Sequence, residues 1–110
     1  MKYKIYIAHS RDERFNYKEA LYLPIQQRYE THDIIVPHGD KLGIDSEQLL
    51  PTCHLMIAEV SYPSTGLGME LIWAISAKTP VLCIHRKEKF PSSSITNKLY
   101  LSTNVLSFSE

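Results

Sequence analysis

Long apolar runs, clustered metal ligands and an excess of either charge are what this chain lacks. Lysine and arginine together number 12, as do aspartate and glutamate, so the formal net charge is zero. No basic field suits long nucleic acid and no acidic tail solvates the chain, which leaves a small molecule or a protein as the expected partner. No segment approaches the roughly 18 apolar residues of a membrane span. The opening Met1-Lys2-Tyr3-Lys4-Ile5-Tyr6-Ile7 is too short and too interrupted by charge for a signal peptide. A cytoplasmic protein with no membrane association is expected. Cys53 and Cys83 are the only two cysteines; set apart in apolar, strand-like surroundings without a CxxC pair, they read as core thiols. The five histidines, His9, His32, His38, His54 and His85, form no HxH or HExxH pair, so no metal centre is expected. Gly66-x-Gly68 lacks the third glycine of a dinucleotide fingerprint, and no GxxxxGK[ST] phosphate loop occurs. Repeats, low-complexity tracts and linkers are also absent, so the 110 residues read as one domain.

What is present is an alternation of strand and helix signals. Tyr3 to Ala8 predicts a buried first strand, and Asn16 to Tyr29 a helix with apolar Ala20, Leu21, Leu23, Ile25 and Tyr29. Pro24 inside that pattern predicts a kink or a late helix start. Asp33 to Pro37 predicts a short strand, and Ser46 to Leu50 a short helix ending near Pro51. Cys53 to Val60, apolar except at His54 and Glu59, has the character of a central parallel strand covered on both faces. A helix is predicted from about Leu67 to Lys78, with Leu67, Leu71, Ala74 and Ile75 as its core stripe. Thr79-Pro80 ends it, Val81 to His85 forms another strand, and Leu99 to Phe108 a last, edge strand. Such alternation implies right-handed βαβ crossovers. The expected fold is a small α/β doubly wound parallel sheet, flavodoxin-like or Rossmann-like, with about five strands and flanking helices.

Ligands of such sheets bind at the carboxyl ends of the strands, near the switch in strand order. His9 to Asp12, Glu59 to Glu70 and Arg86 to Ser94 converge there. In the second segment Pro63 stiffens a turn, Gly66 and Gly68 let a backbone approach a ligand, and Ser64 or Thr65 can cap the next helix. Free amides at a helix start, beside a hydroxyl, suit an anion. Glu70 is expected in the first helical turn, where the dipole favours its ionised form. It is either a nucleophile or a residue that complements the helix end. Glu59 reads as a structural partner for a loop backbone or for Arg11. His9 and His38 follow predicted strands at the ligand end, and Arg86, Lys87 and Lys89 form a short basic run able to attract a phosphate.

The run Met56-Ile57-Ala58-Glu59-Val60-Ser61-Tyr62-Pro63-Ser64-Thr65-Gly66-Leu67-Gly68-Met69-Glu70-Leu71 resembles the signature of the nucleoside 2-deoxyribosyltransferase superfamily, which includes the 2'-deoxynucleoside 5'-phosphate N-hydrolases. Weaker similarity extends to Tyr6-Ile7-Ala8-His9-Ser10, to Pro80-Val81-Leu82-Cys83-Ile84 and to the serines before Ile95. The resemblance implies cleavage or transfer at an N-glycosidic bond of a nucleoside or nucleoside 5'-monophosphate, with Glu70 as the catalytic nucleophile and no cofactor. It places Tyr6 at the sugar site and Ser64 at the 5'-phosphate; Ser10, after the first strand, and Gly66 and Gly68, at the helix start, are further substrate-binding candidates by position. It also assigns one of Ser92, Ser93 or Ser94 to a second phosphate contact that reaches a neighbouring subunit, and so implies a homodimer or larger homo-oligomer.

Two positions depart from that pattern. The family places an aspartate shortly before the hydrophobic strand to protonate the leaving base; the equivalent position, counted back from His54, is Ser46. Its neighbour Asp45 is the candidate for that role. Ile72 stands where the family has a glycine after Glu-Leu. Two alternatives therefore stand beside the enzyme: a nucleotide-binding sensor or interaction module of the same fold without turnover, and an NAD-type glycohydrolase.

Overall fold

The computed structural model of the chain describes residues 2–10, 16, 18–36, 45–62, 64–86 and 104–108. Its centre is a parallel sheet formed by β1 (Lys4–Ala8), β2 (Asp33–Ile35), β3 (Leu55–Glu59), β4 (Val81–Arg86) and β5 (Asn104–Phe108), in the order β2-β1-β3-β4-β5. The first strand is thus internal. Ile5 pairs with Ile34 on one side and with Leu55 on the other. The direction in which strands are added reverses at β1, so the switch point lies between β1 and β3. The α/β class and parallel sheet expected from the alternation are present.

The near-continuous apolar character of the inner strands reflects two covered faces, between which successive side chains alternate. Tyr6 and Ala8 of β1 and Met56 and Ala58 of β3 face one core, together with Leu50, Leu67, Leu71 and Ala74. Ile5 and Ile7 face the other, against Leu21, Tyr22 and Tyr62. Burying each large apolar side chain, such as Met56 or Leu71, contributes about 1.5–3 kcal/mol. Cys53 and Cys83 are both buried, as expected of core thiols.

The helices differ from expectation in instructive ways. The helix predicted over 16–29 begins as a wide π turn at Lys18–Tyr22 and becomes α-helical only as α1 (Leu23–Arg28). Pro24 falls in the first turn of α1, where its missing N–H would have no intrahelical partner. The wide turn changes which residues face inward: Leu21 and Tyr22 are buried, while Leu23 and Tyr29 are 49% and 42% exposed. α2 (Ser46–Leu49) runs into a 3-10 turn at Leu50–Thr52 that accommodates Pro51.

α3 (Thr65–Ser76) starts before the predicted Leu67, because Ser64 caps it by accepting the Leu67 amide at 3.1 Å. That cap offsets the low helix propensity of Gly66 and Gly68. Its buried stripe is Leu67, Glu70, Leu71 and Ala74. Ile75, expected in the core, is 39% exposed, and a carboxylate takes the inward position instead. Lys78, at φ 61°, turns the chain after the helix in the manner of a left-handed C-terminal residue. Thr79 Oγ1 then donates to the Leu50 carbonyl at 2.8 Å, tying the end of α3 to the 3-10 turn. Among the described residues no helix is long and apolar enough to cross a membrane.

Candidate active site

Glu70 is the one carboxylate that α3 carries, and the helix directs it inward until only 7% of its surface is exposed. With Ser64 as the cap and Thr65 as the first helical residue, Glu70 lies in the second turn rather than the expected first. The dipole acts mainly within the first turn, so burial governs this carboxyl. Loss of water pushes its pKa up to about 7, an effect that a hydrogen bond from Tyr6 partly opposes. The sequence reading, in which the helix start favours the ionised form, is reversed on this point: the acid titrates near neutrality.

Tyr6 reaches Glu70 from the middle of β1. Its alternation places it on the α3 side of the sheet, fully buried, and its hydroxyl donates to Glu70 Oε2. The same hydroxyl lies 2.5 Å from Ser46 Oγ, the first residue of α2. Three elements therefore meet in one line of oxygens: β1, α2 and α3. Burial, followed by the charge of Glu70 and the hydrogen bond to it, raises the Tyr6 hydroxyl well above its ordinary pKa. Tyr6 consequently remains a proton donor throughout the working pH range. Asp45 is exposed and caps α2, accepting the Gln48 amide at 3.3 Å. Thus Ser46, which the sequence marks as a missing aspartate, supplies the hydroxyl partner of Tyr6, and its neighbour orders the helix. Nothing local to Ser46 signals this contact, because Tyr6 lies 40 residues from Ser46 along the chain and 64 from Glu70.

Ser10 is buried just beyond β1, and its carbonyl lies 2.6 Å from His9 Nδ1. A carbonyl only accepts, so Nδ1 carries the proton, and in the neutral ring Nε2 accepts from the Tyr22 hydroxyl. His9 is thereby held by the α1 side of the sheet. Glu59 has a structural role with a loop backbone, one of the two partners expected for it: it accepts the Ser61 amide at 2.6 Å and the Ser61 hydroxyl at 3.1 Å. Gly66 and Gly68 are exposed, and a Cβ built at either meets nothing within 4 Å. The protein's own packing does not demand these glycines, and they leave the start of α3 open. Ile72, the second departure from the family pattern, is 61% exposed. It lies across the helix from Glu70 and does not crowd it. Ser92, Ser93, Ser94, Arg11, His38, Pro63, Lys87 and Lys89 lie outside the described residues. No group of three or more His, Cys, Asp or Glu side chains placed to hold a metal occurs among the described residues.

Comparisons with known proteins bear on the fold and on part of the sequence. No family model matches the chain. A Methanosarcina mazei protein named "Putative 2'-deoxynucleoside 5'-phosphate N-hydrolase 1" is 45% identical over 47 residues, 43% of this chain and 29% of that protein. A protein of the same name from Methanococcoides burtonii is 40% identical over 50 residues, 46% of this chain and 41% of that protein. The aligned segments thus span less than half the length of these curated relatives. Among solved structures, a conserved protein from Enterococcus faecalis superposes with a TM-score of 0.68 at 18% identity, covering 98% of this chain and 92% of its own. A Clostridium botulinum CMP N-glycosidase superposes with a TM-score of 0.61 at 18% identity, covering 97% and 88%. The chain therefore resembles proteins named as 2'-deoxynucleoside 5'-phosphate N-hydrolases in the sequence of one segment, and shares the fold of the two solved structures along nearly its full length.

Proposed function

We propose that this protein cleaves the N-glycosidic bond of a nucleoside or nucleoside 5'-monophosphate, with Glu70 as the nucleophile. The observation that carries this reading is a buried carboxyl, at the switch point of the sheet, whose position is fixed by the hydroxyl of Tyr6. The names of the relatives, and that of the N-glycosidase of like fold, supply the substrate class. Ionised Glu70 attacks C1', a carbon–oxygen bond forms, and the base departs with the electron pair of the broken carbon–nitrogen bond. Water, or a second base, then releases the sugar. We assign protonation of the departing base to Asp45, which is exposed beside Ser46. The chemistry requires only carboxylates and hydrogen-bond donors.

The test is chromatography of deoxynucleosides, their monophosphates and NAD after incubation with the protein. Release of free base from nucleosides or monophosphates supports the reading. Release of nicotinamide alone selects the NAD-type glycohydrolase, and tight binding without release of any base selects the sensor module.

Ser64 and the amides at 66–68 are assigned to the 5'-phosphate or 5'-hydroxyl, because the hydroxyl that caps α3 stands on an open, glycine-bearing helix start. Ser64→Ala is expected to weaken binding of a monophosphate about tenfold, equivalent to about 1.4 kcal/mol, with less effect on the nucleoside. Loss of the cap alone would lower stability by about 1 kcal/mol. Calorimetric titration of both ligands separates the two effects; unchanged affinity for each would remove Ser64 from the site.

Self-association is also expected. Met69, Ile72 and Ile75 leave large apolar surfaces exposed along α3, at 48%, 61% and 39%, and among the described residues α3 carries no charge besides buried Glu70. A uniformly monomeric mass by light scattering at micromolar concentration would count against a shared site.

A further inference from the structure

We propose that Ser46 is a positioning residue that holds Glu70 in its ionised form through Tyr6, by donating its hydroxyl proton to the Tyr6 oxygen. The inference rests on the reading of Glu70 as the nucleophile and deepens it. An ionised carboxylate only accepts hydrogen bonds, and a tyrosine hydroxyl has a single proton to give. Tyr6 spends that proton on Glu70 Oε2. Toward Ser46, 2.5 Å away, the Tyr6 oxygen is then an acceptor, and the proton between them belongs to Ser46.

The result is a directed chain, Ser46 to Tyr6 to Glu70, in which each donation polarises the next. Consistent with this, the Ser46 contact opposes the rise in the Tyr6 pKa, and the Tyr6 contact opposes the rise in that of Glu70. When Glu70 takes up a proton the chain can reverse: the carboxylic acid donates to Tyr6, and Tyr6 to Ser46. Direction and protonation are therefore coupled, and Ser46 favours the charged state of the acid. Among the described residues Tyr6 is the group whose bond acts on Glu70, and Tyr22, from the turn before α1, acts weakly on Tyr6.

The anchoring of Ser46 suits such a role. It is the first residue of α2, the preceding Asp45 fixes that helix start, and α2 packs on α3. A serine at this position thus stands where the family pattern has an acid, and its hydroxyl meets Tyr6.

The experiment follows the Glu70 carboxyl directly, by infrared titration of protein carrying labelled glutamate, with Glu70→Gln identifying the band. In Ser46→Ala the midpoint is expected to rise by about 0.5–1 pH unit, the size of one net hydrogen bond. If Glu70 is the nucleophile, kcat/KM at pH 6 falls about three- to tenfold and recovers at high pH, where the acid is ionised in both proteins. Ser46→Thr, which keeps the hydroxyl, restores the midpoint. In a Tyr6→Phe background Ser46→Ala has no further effect. An unchanged midpoint in Ser46→Ala overturns the proposal, as does a rise that persists in Tyr6→Phe. The nucleophile reading fails separately, if Glu70→Gln still releases base while the midpoint responds as described. Alanine is a good helix former, and melting curves on each variant verify the fold.

Discussion

Glu70→Gln is expected to lower base release by on the order of a thousandfold or more, with ligand affinity changed only a few-fold. Glutamine is nearly isosteric and keeps an oxygen that accepts the Tyr6 proton, so the contact between β1 and α3 survives the change. It has no charge with which to attack C1' or to stabilise an oxocarbenium-like transition state, so the loss falls on kcat rather than on binding. The pH profile supplies a second signature. Because the carboxyl titrates at about 7, wild-type kcat/KM is expected to rise with pH through that value and then level off, as a nucleophile that must be ionised requires. A proton-donating role would give the opposite limb. Single-turnover assays and ligand titrations on the same preparations distinguish a lost chemical step from lost binding, and a variant that cleaves at the wild-type rate removes Glu70 from the mechanism.

The same substitution is expected to stabilise the protein under alkaline conditions. Glu70 has a folded pKa of about 7 against an ordinary value of 4.5, so between these values the folded state binds more protons than the unfolded one. Stability therefore falls as pH rises across that window. Below about pH 4 the acid is protonated in both states and contributes no pH dependence; above about pH 8 it is charged in both, and the full cost of burying the charge applies. That cost is on the order of 3 kcal/mol. Glu70→Gln carries no such term. Relative to wild type it should gain roughly 10 °C in melting temperature at pH 8 and little at pH 4. Taking the difference between the two proteins cancels the titration of other acids. Equal melting temperatures at both pH values would mean that water reaches Glu70 in the folded state.

The sequence made the sheet legible because a parallel strand covered on both faces has to be apolar throughout. Tyr6-Ile7-Ala8 and Met56-Ile57-Ala58 could hardly lie elsewhere, and they pair side by side as Tyr6 with Met56, Ile7 with Ile57 and Ala8 with Ala58. Helix starts were harder to read, since a cap acts through one hydroxyl whereas propensity is spread along a segment. Ser64 begins α3 despite two glycines that favour a later start. That shift of register moves Glu70 from the first turn to the second and from the helix-end field to the buried face. Periodicity misassigned Ile75 for a related reason: a carboxyl that is needed inside takes an inward position, and the hydrophobic residue is left at the surface. Local sequence leaves Glu70 open between a nucleophile and a partner of the helix end, and the resemblance is what favours the first and adds Tyr6. Ser46 became visible as their partner only in three dimensions, because hydrogen bonding between distant segments leaves no periodic trace.

The internal position of β1 governs when this site comes into being as well as where it lies. Tyr6 acquires a neighbouring strand on one side from β2, but its other edge stays open until β3 is in place. Its contacts with Ser46 and Glu70 close loops of 40 and 64 residues. The entropy of closing such loops must be met before the contacts they allow can form, and parallel pairings of this kind are slow to assemble. In a chain emerging in order from its amino end, Tyr6 therefore gains its strand neighbours from β2 and β3 first, and Glu70 only when α3 has followed β3. Regain of the proposed cleavage after dilution from denaturant is therefore expected to wait for closure of both loops, whereas a helix signal can return earlier.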